Sequence, residues 1–425
     1  MRSESIVGHI VEAFVLFAER SYIPADAVLR DYFVQRKYLG SSDRRNIAIP
    51  YYRIIKNYLR LEAIFLHAWK KKEIVPELIV AADMLLFEKK LPEDVRPIIA
   101  NLQNEFARDY PYELFVEMAD TNAETKRIAM LPKSERLSIY YSMPLWFVQA
   151  LASEYDEDET EKIIAALNDE APTNIRVNTL VSAREKLAEI FELTGVKTTL
   201  STLAGDCITL SNRINAMDYP AFRQGAFEIQ DEASQLVAPF AKINIPKPRI
   251  LDACCGAGGK ALHFASLAKN KGDIYASDID ARKLEQFRFR LKRSTAQNIR
   301  IIHPQDREKI LSDKTNWFDA LLLDVPCSGT GTLRRNPSIK WNLTREMHDR
   351  LINKQREIIN ENISYVKPGG VLLYATCSLL KSESEEQAKW IIEKYPEFRI
   401  EEEIRTRPDK EGCDGFYAGR LRKAM

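Results

Sequence analysis

The chain has 425 residues and a formal net charge of +1, so no global field announces a polyanionic partner and any basic surface has to be local. Hydrophobic residues make up 45% of it, yet no uninterrupted apolar run is long enough to span a bilayer, which predicts two or three globular domains away from membranes. Six cysteines without a Cys-x-x-Cys pair exclude a disulfide framework and, with an acid early in Met1-Arg2-Ser3-Glu4 and no signal-peptide core, predict a reducing, cytoplasmic setting and no metal site.

Residues 1–130 read as helix throughout. Val7, Ile10, Val11, Phe14 and Val15 recur at helical spacing, and Tyr51, Ile54, Ile55 and Tyr58 do so again behind the start signal Ser42-Asp43. Arg36, Lys37, Arg44, Arg45, Arg53, Lys56 and Arg60 are candidates for an RNA-facing surface; the competing reading is a solvated helix face. Residues 131–240 read as a small α+β domain. A helix begins near Pro144, a short alternating strand covers Asn174-Ile175-Arg176-Val177-Asn178, and a second strand over 224–230 enters Asp231-Glu232-Ala233-Ser234. Two prolines within 243–248 mark the boundary to a third domain, 241–425. There strands and helices alternate, which predicts an α/β fold with a mainly parallel sheet. The strands are expected at 249–253, 273–277, 299–303, 318–323 and 370–375, with later, partly antiparallel ones at 398–404 and 416–421.

Leu251-Asp252-Ala253-Cys254-Cys255-Gly256-Ala257-Gly258-Gly259-Lys260 is strand, glycine-rich turn, then helix, a place where backbone and free N–H groups approach a ligand. Roughly 20 residues later a second strand ends in Asp278, where a carboxylate binds ribose hydroxyls. A phosphate-cradling P-loop fails, because Cys254 stands at its first glycine and Ala261 follows Lys260. A dinucleotide fingerprint is begun by Gly256-Ala257-Gly258, but Leu262-His263 do not complete it, and position 261 carries only the tolerated variant Ala. S-adenosylmethionine, with ribose and adenine but no pyrophosphate, needs only the turn and the acid. A tight turn without ligand is the bland alternative. Asp306, after the third strand, is a candidate for the adenine amino group or a simple cap, and Lys260 for a ligand contact or a surface charge.

Two cysteines fall just past the carboxyl ends of expected strands: Cys327 in Asp324-Val325-Pro326-Cys327-Ser328-Gly329, and Cys377 in Thr376-Cys377-Ser378. Two thiols at one sheet edge point to covalent chemistry on an electrophilic carbon. Methylation at C5 of cytosine needs such chemistry. A thiolate adds to C6, C5 becomes enamine-like and takes the methyl, then the C5 proton leaves and the thiol is eliminated. An acid at N3 relieves charge during the addition, and Asp324 is placed for it. One cysteine bonds C6 and the other assists release; the residues alone do not say which. Cys254, Cys255, Cys207 and Cys413 otherwise read as small buried hydrophobes.

These residues resemble the Sun/Fmu (RsmB-type) RNA cytosine-5 methyltransferases over most of the chain. The strongest pieces are Asp324-Val325-Pro326-Cys327-Ser328-Gly329-Thr330-Gly331, Tyr374-Ala375-Thr376-Cys377-Ser378 and the glycine turn; Gln224-Gly225, Gln230-Asp231-Glu232-Ala233-Ser234 and Asp414-Gly415-Phe416-Tyr417 support them. Upstream, Leu39-Gly40-Ser41-Ser42-Asp43-Arg44-Arg45 is similar to the NusB-like helical RNA-binding domain that bacterial members carry. The resemblance implies a Rossmann-like S-adenosylmethionine-dependent domain with a seven-stranded sheet, Cys377 as nucleophile and Cys327 as the release cysteine. It implies that Cys254, Cys255, Gly256, Ala257, Gly258, Gly259, Lys260, Asp278, Asp306 and Asp324 line the cofactor site, and that the substrate is RNA, ribosomal RNA of the small subunit first; separately from the resemblance, a monomer is expected. Ala257 departs from the family's commoner proline and Gln305-Asp306-Arg307-Glu308 from its commoner Asp-Gly pattern.

Further RNA contacts are expected from Arg334, Arg335 and Lys340, which follow the Cys327 loop. Arg288, Arg290, Lys292 and Arg293 lie on a helix with the apolar stripe Leu284, Phe287 and Leu291, where solvated charge is the favoured reading for most of them, with an RNA contact as the alternative; Arg176 and Arg223 either reach substrate or pair with acids. A DNA cytosine-5 methyltransferase, a non-catalytic RNA-binding assembly factor on the same fold, and a nicotinamide dehydrogenase are the rivals. Cys377 with the helical front domain opposes the first, both cysteines with Asp324 the second, and the lack of a hydride-transfer constellation the third.

Overall fold

The computed structural model describes residues 3–69, 74–102 and 110–425. It forms two compact units, Met1–Asp169 with Leu333–Arg345, and Glu170–Thr332 with Glu346–Met425. Among the described residues no helix is long and apolar enough to cross a membrane.

The first unit is helical. Helix α1 (Ser3–Glu19) buries Val7, Ile10, Val11, Phe14 and Phe17, an i, i+3, i+4 stripe, against α3 (Ser41–Ala68) and α4 (Pro76–Leu86), after the short α2 (Ala25–Gln35). Helix α3 starts where its signal sits: Asp43 accepts the Gly40 N–H at 3.2 Å. Residues 333–345 belong to the same core. Trp341 packs 5.1 Å from the Phe17 ring and 4.2 Å from Tyr58, and its Nε1 donates to the Ile55 carbonyl at 3.1 Å.

The basic row expected to face RNA is mostly turned to internal partners. Arg53 donates to both oxygens of buried Asp83 at 2.7 and 2.5 Å and to Glu88 at 2.7 Å, Arg60 grips Glu124 at 3.0 and 3.1 Å, and Arg36 lies 3.8 Å over Tyr32. Arg44 bonds the Leu39 carbonyl and Lys56 the Asn168 carbonyl. Lys37 and Arg45 are exposed. Lys340, expected to hold phosphate, does not: it is buried, donating to the carbonyls of Lys56 and Tyr141 at 3.1 and 3.3 Å and to Asn168 Oδ1 at 2.7 Å. Burial pushes its pKa well down.

The second unit carries two sheets. The smaller is antiparallel in the order β2-β3-β1-β4, with β1 (Thr173–Val177), β2 (Thr198–Leu200), β3 (Cys207–Leu210) and β4 (Phe227–Ile229). The strand expected over 224–230 is shorter because Gln224-Gly225 is a turn after the helix Pro220–Arg223. Gly225 has φ +76, and a Cβ there would lie 1.9 Å from the Arg293 carbonyl oxygen, so only glycine fits.

The larger sheet has seven strands in the order β10-β11-β9-β8-β5-β6-β7. They are β5 (Arg249–Asp252), β6 (Asp273–Ser277), β7 (Ile299–Ile302), β8 (Phe318–Asp324), β9 (Val366–Thr376), β10 (Phe398–Thr406) and β11 (Phe416–Lys423). The first five pair in parallel, and β11 runs antiparallel to both β9 and β10. Leu251, Leu321, Leu322, Leu372 and Leu373 are fully buried, as apolar runs covered on both faces require. Order reverses between β5 and β8: β6 and β7 extend one way, β8 and β9 the other. Such a switch point opens a crevice at the carboxyl ends of the strands.

Candidate active site

The glycine turn lies at that switch point. Gly256 and Gly258 adopt φ +53 and +80, and Gly258 caps α5 (Gly259–Leu267). A Cβ on Gly258 would fall 2.1 Å from the Phe287 ring on α6 (Ala281–Ser294), so the turn is pressed onto that helix. Asp278, past the end of β6, accepts the Gly256 N–H through Oδ2 and the Asp280 N–H through Oδ1, each at 2.8 Å. Two arginines brace the turn from the far side. Arg176 on β1, fully buried, donates to the Gly259 carbonyl and to Gln230; Arg290 on α6 donates to the Ala257 carbonyl at 2.9 Å. Glu228 on β4 holds Arg290 at 3.0 Å and Arg293 at 2.5 Å. Arg290 and Arg293 are therefore internal, which corrects the solvated reading, and Arg176 faces backbone and an amide rather than an acid. Arg223 donates to the Met217 carbonyl. Arg288, exposed, pairs with Glu285 at 3.1 Å.

The acids cluster at the strand ends. Lys260 is buried rather than a surface charge, and its Nζ reaches Asp324 Oδ2 at 2.5 Å. Asp252 at the end of β5 is 1% exposed, and neither of its oxygens has a hydrogen-bond partner among the described residues. Burial first, then Asp324, push its carboxyl up to about 8, with Lys260 pulling the other way. Nothing in the pattern singled Asp252 out beyond its place before the turn. Cys255 is buried and Cys254 half-buried, and burial raises both thiols, which makes them inert. Asp306 is exposed in the short turn Pro304–Asp306 after β7.

Adjacent strands β8 and β9 bring the two cysteines together. Asp324 pairs with Ala375 in register, and Val325 N–H donates to the Ala375 carbonyl at 3.1 Å. Cys327 Sγ and Cys377 Sγ are 3.4 Å apart, both half-buried. Gly331 N–H donates to the Cys377 carbonyl at 2.9 Å, and a Cβ on Gly331 would lie 2.0 Å from the Gly415 carbonyl oxygen, so the Cys327 loop is wedged between the Cys377 loop and Asp414-Gly415. The Cys327 thiol is pushed well up, by its contact with Cys377 first, then by burial and by Glu383. Cys207 and Cys413 are buried, as expected.

A glycine turn at the switch point, Asp278 at the next strand end and an unpartnered buried carboxylate at Asp252 fit a ligand with a ribose and a cationic amino acid end. Together with the seven-stranded order they define the class: a Rossmann-like methyltransferase using S-adenosylmethionine. Known proteins agree. The family described as 16S rRNA methyltransferase RsmB/F matches residues 244–422, and an RsmF/B-like ferredoxin-like domain matches 143–217. Ribosomal RNA small subunit methyltransferase B of Vibrio vulnificus is 32% identical over 287 residues, 65% of this chain and 66% of the relative. The probable ribosomal RNA small subunit methyltransferase B of Bacillus subtilis is 31% identical over 310 residues, 68% of each chain. A solved structure titled "Crystal Structure of PH0851" superposes with a TM-score of 0.78 at 25% identity, covering 100% of this chain and 99% of that one. The chain belongs to the RsmB/F methyltransferase family.

Proposed function

We propose that this chain forms 5-methylcytosine in RNA, with 16S ribosomal RNA as substrate, through a transient bond from Cys377 Sγ to C6 of the target cytosine. The observation that carries the reading is the 3.4 Å approach of the Cys327 and Cys377 sulfurs beside the Lys260–Asp324 pair, at the same strand ends as the glycine turn. The relatives' names, which specify small-subunit ribosomal RNA, support the substrate.

S-adenosylmethionine supplies the electrophilic methyl. The turn 254–260 with Asp278 would hold it, Asp252 would face its cationic end, and Asp324 and Asp306 would complete the lining. Cys377, its thiol proton lost to solvent, adds to C6 as thiolate while N3 takes a proton from the Lys260–Asp324 pair, the ammonium supplying it through the carboxylate, so no anion accumulates on the ring. C5 takes the methyl and keeps its proton until release. Cys327 accepts that proton, the C6–S bond breaks with its electrons returning to Cys377, and N3 returns its proton to Asp324.

The sulfur pair orders these steps. Contact with Cys377 is the largest influence holding Cys327 protonated. Once Cys377 is a thioether that contact no longer opposes ionisation of Cys327, which passes its own proton to solvent and then, as thiolate, takes the C5 proton.

The test is bisulfite sequencing of ribosomal RNA from cells with and without this protein, paired with tritium release from C5-labelled RNA and DNA. A single cytosine that loses protection when the protein is absent, with tritium released from RNA only, is expected. No protein-dependent site, or release from DNA, overturns the reading.

A further inference from the structure

Beyond the cysteines, the geometry points to Glu383 as a positioning residue: one buried carboxylate that ties the Cys327 loop to the Cys377 loop and so fixes the two sulfurs against each other. The inference rests on the functional reading above only for its kinetic consequence.

Glu383 is fully buried in the 3-10 turn Lys381–Glu383 that follows the Cys377 loop. It accepts the Ser328 N–H at 2.8 Å and the Ser328 hydroxyl, the Ser378 hydroxyl at 2.6 Å, and Gln355 Nε2 at 3.0 Å. Ser328 directly follows Cys327 and Ser378 directly follows Cys377, so a single side chain holds both nucleophile loops at the residue next to sulfur. The remaining bonds repeat the pattern. Gln355, on α7 (Arg345–Asn362), also donates to the carbonyl of Pro326, the residue before Cys327, at 3.1 Å. Tyr374 donates to Gln355 Oε1 at 3.1 Å and to the Glu383 carbonyl at 2.9 Å. Thr330 accepts the Leu379 N–H at 2.9 Å, again linking the two loops.

The residue type matters as much as the place. Every group aimed at this side chain is a donor, and an ionised carboxylate is acceptor-only with room for all four. Glutamine would turn two N–H groups toward donors. Among the described residues no lysine, arginine or histidine pairs with Glu383; its side-chain partners are these four donors. A network serving stability alone has no need of an unpaired buried charge. This charge instead stands near Cys327 and opposes loss of its proton, in step with the order of events proposed above.

The test compares wild type with Glu383→Gln and Glu383→Asp. Three readouts are taken: melting temperature, the pH profile of Cys327 alkylation by iodoacetamide followed by peptide mapping, and steady-state methylation. For folded Glu383→Gln the alkylation midpoint is expected to fall. The turnover number is expected to drop at least about tenfold with KM for S-adenosylmethionine within about twofold, because the cofactor turn is untouched. Glu383→Asp regains part of both. If Glu383→Gln does not fold, Ser378→Ala, which removes one of the four bonds and leaves the charge, replaces it: turnover is expected to drop in the same direction, with the alkylation midpoint not lowered. A folded variant with wild-type alkylation profile and wild-type turnover overturns the assignment. Alkylation needs no methyl transfer. If the wild-type protein methylates no RNA the functional reading falls, and the alkylation profile alone decides the role of Glu383.

Discussion

Lys260 Nζ donates to Asp324 Oδ2 at 2.5 Å, joining the helix that follows the glycine turn to the strand that precedes Cys327. The ion pair joins the proposed cofactor end of the site to its proposed chemical end. Asp324→Asn keeps the shape and removes the acid, so single-turnover methyl transfer is expected to slow by about 10²–10⁴-fold, the range of a lost general acid. Rapid-quench measurement on RNA checks this; a rate within a few-fold of wild type removes Asp324 from the mechanism.

The cysteines divide by what each variant accumulates. Cys377→Ser is expected to abolish methylation while binding S-adenosylmethionine as wild type does in calorimetry. Cys327→Ala forms the bond to C6 but cannot complete release, so a covalent protein–RNA adduct accumulates on a denaturing gel. An adduct in Cys377→Ala instead reverses the two roles.

Asp252 gives the cofactor-free protein a pH signature. In the folded chain its carboxyl holds a proton up to about pH 8, whereas the unfolded chain releases it in the ordinary carboxylate range. Its stabilising contribution is complete below that range and is lost as pH rises toward about 8. Asp252→Asn, which cannot ionise, is expected to flatten this part of the melting curve. Scanning calorimetry between about pH 5 and 8 reads the slope, and an unchanged slope contradicts the assignment.

Arg53→Ala strips buried Asp83 of both its short bonds. A carboxylate left unpaired inside a protein costs about 3–5 kcal/mol. The melting transition of the helical unit is expected to shift down accordingly, and an Arg53→Ala, Asp83→Leu double variant to recover most of the loss.

The catalytic sheet is legible in the chain because its strands are buried on both faces: the stretch Phe318 to Leu323 and the stretch Val371 to Ala375 are continuous apolar runs, and whatever follows them stands at a strand end. Cys327, Cys377 and Asp324 are found that way. The roles of Arg176, Arg290, Glu228 and Glu383 are not, because each gains its meaning from a partner distant in sequence: Arg176 reads as a substrate contact or an acid's partner, and Arg290 as a solvated charge. Gln230 meets Arg176 only after β1 and β4 pair, and Ser328 meets Glu383 only after β8 and β9 do. Lys340 is the opposite failure: a lysine among basic neighbours suggested phosphate, but the Trp341 beside it is an anchor that draws the backbone inward. Gln224-Gly225 reads as the start of a strand, but it is a turn whose glycine packs on the Arg293 carbonyl, a partner far along the chain.

Trp341 also constrains how the molecule comes off the ribosome. Its indole is part of the core formed by Phe14, Phe17 and Tyr58, yet it is translated long after them. At elongation rates of roughly 5–20 residues per second, the emerging N-terminal helices wait on the order of fifteen to sixty seconds for the aromatic plug that completes them. Vectorial, domain-by-domain maturation is therefore closed to this chain: its first-made part is finished by a piece of its last-made third.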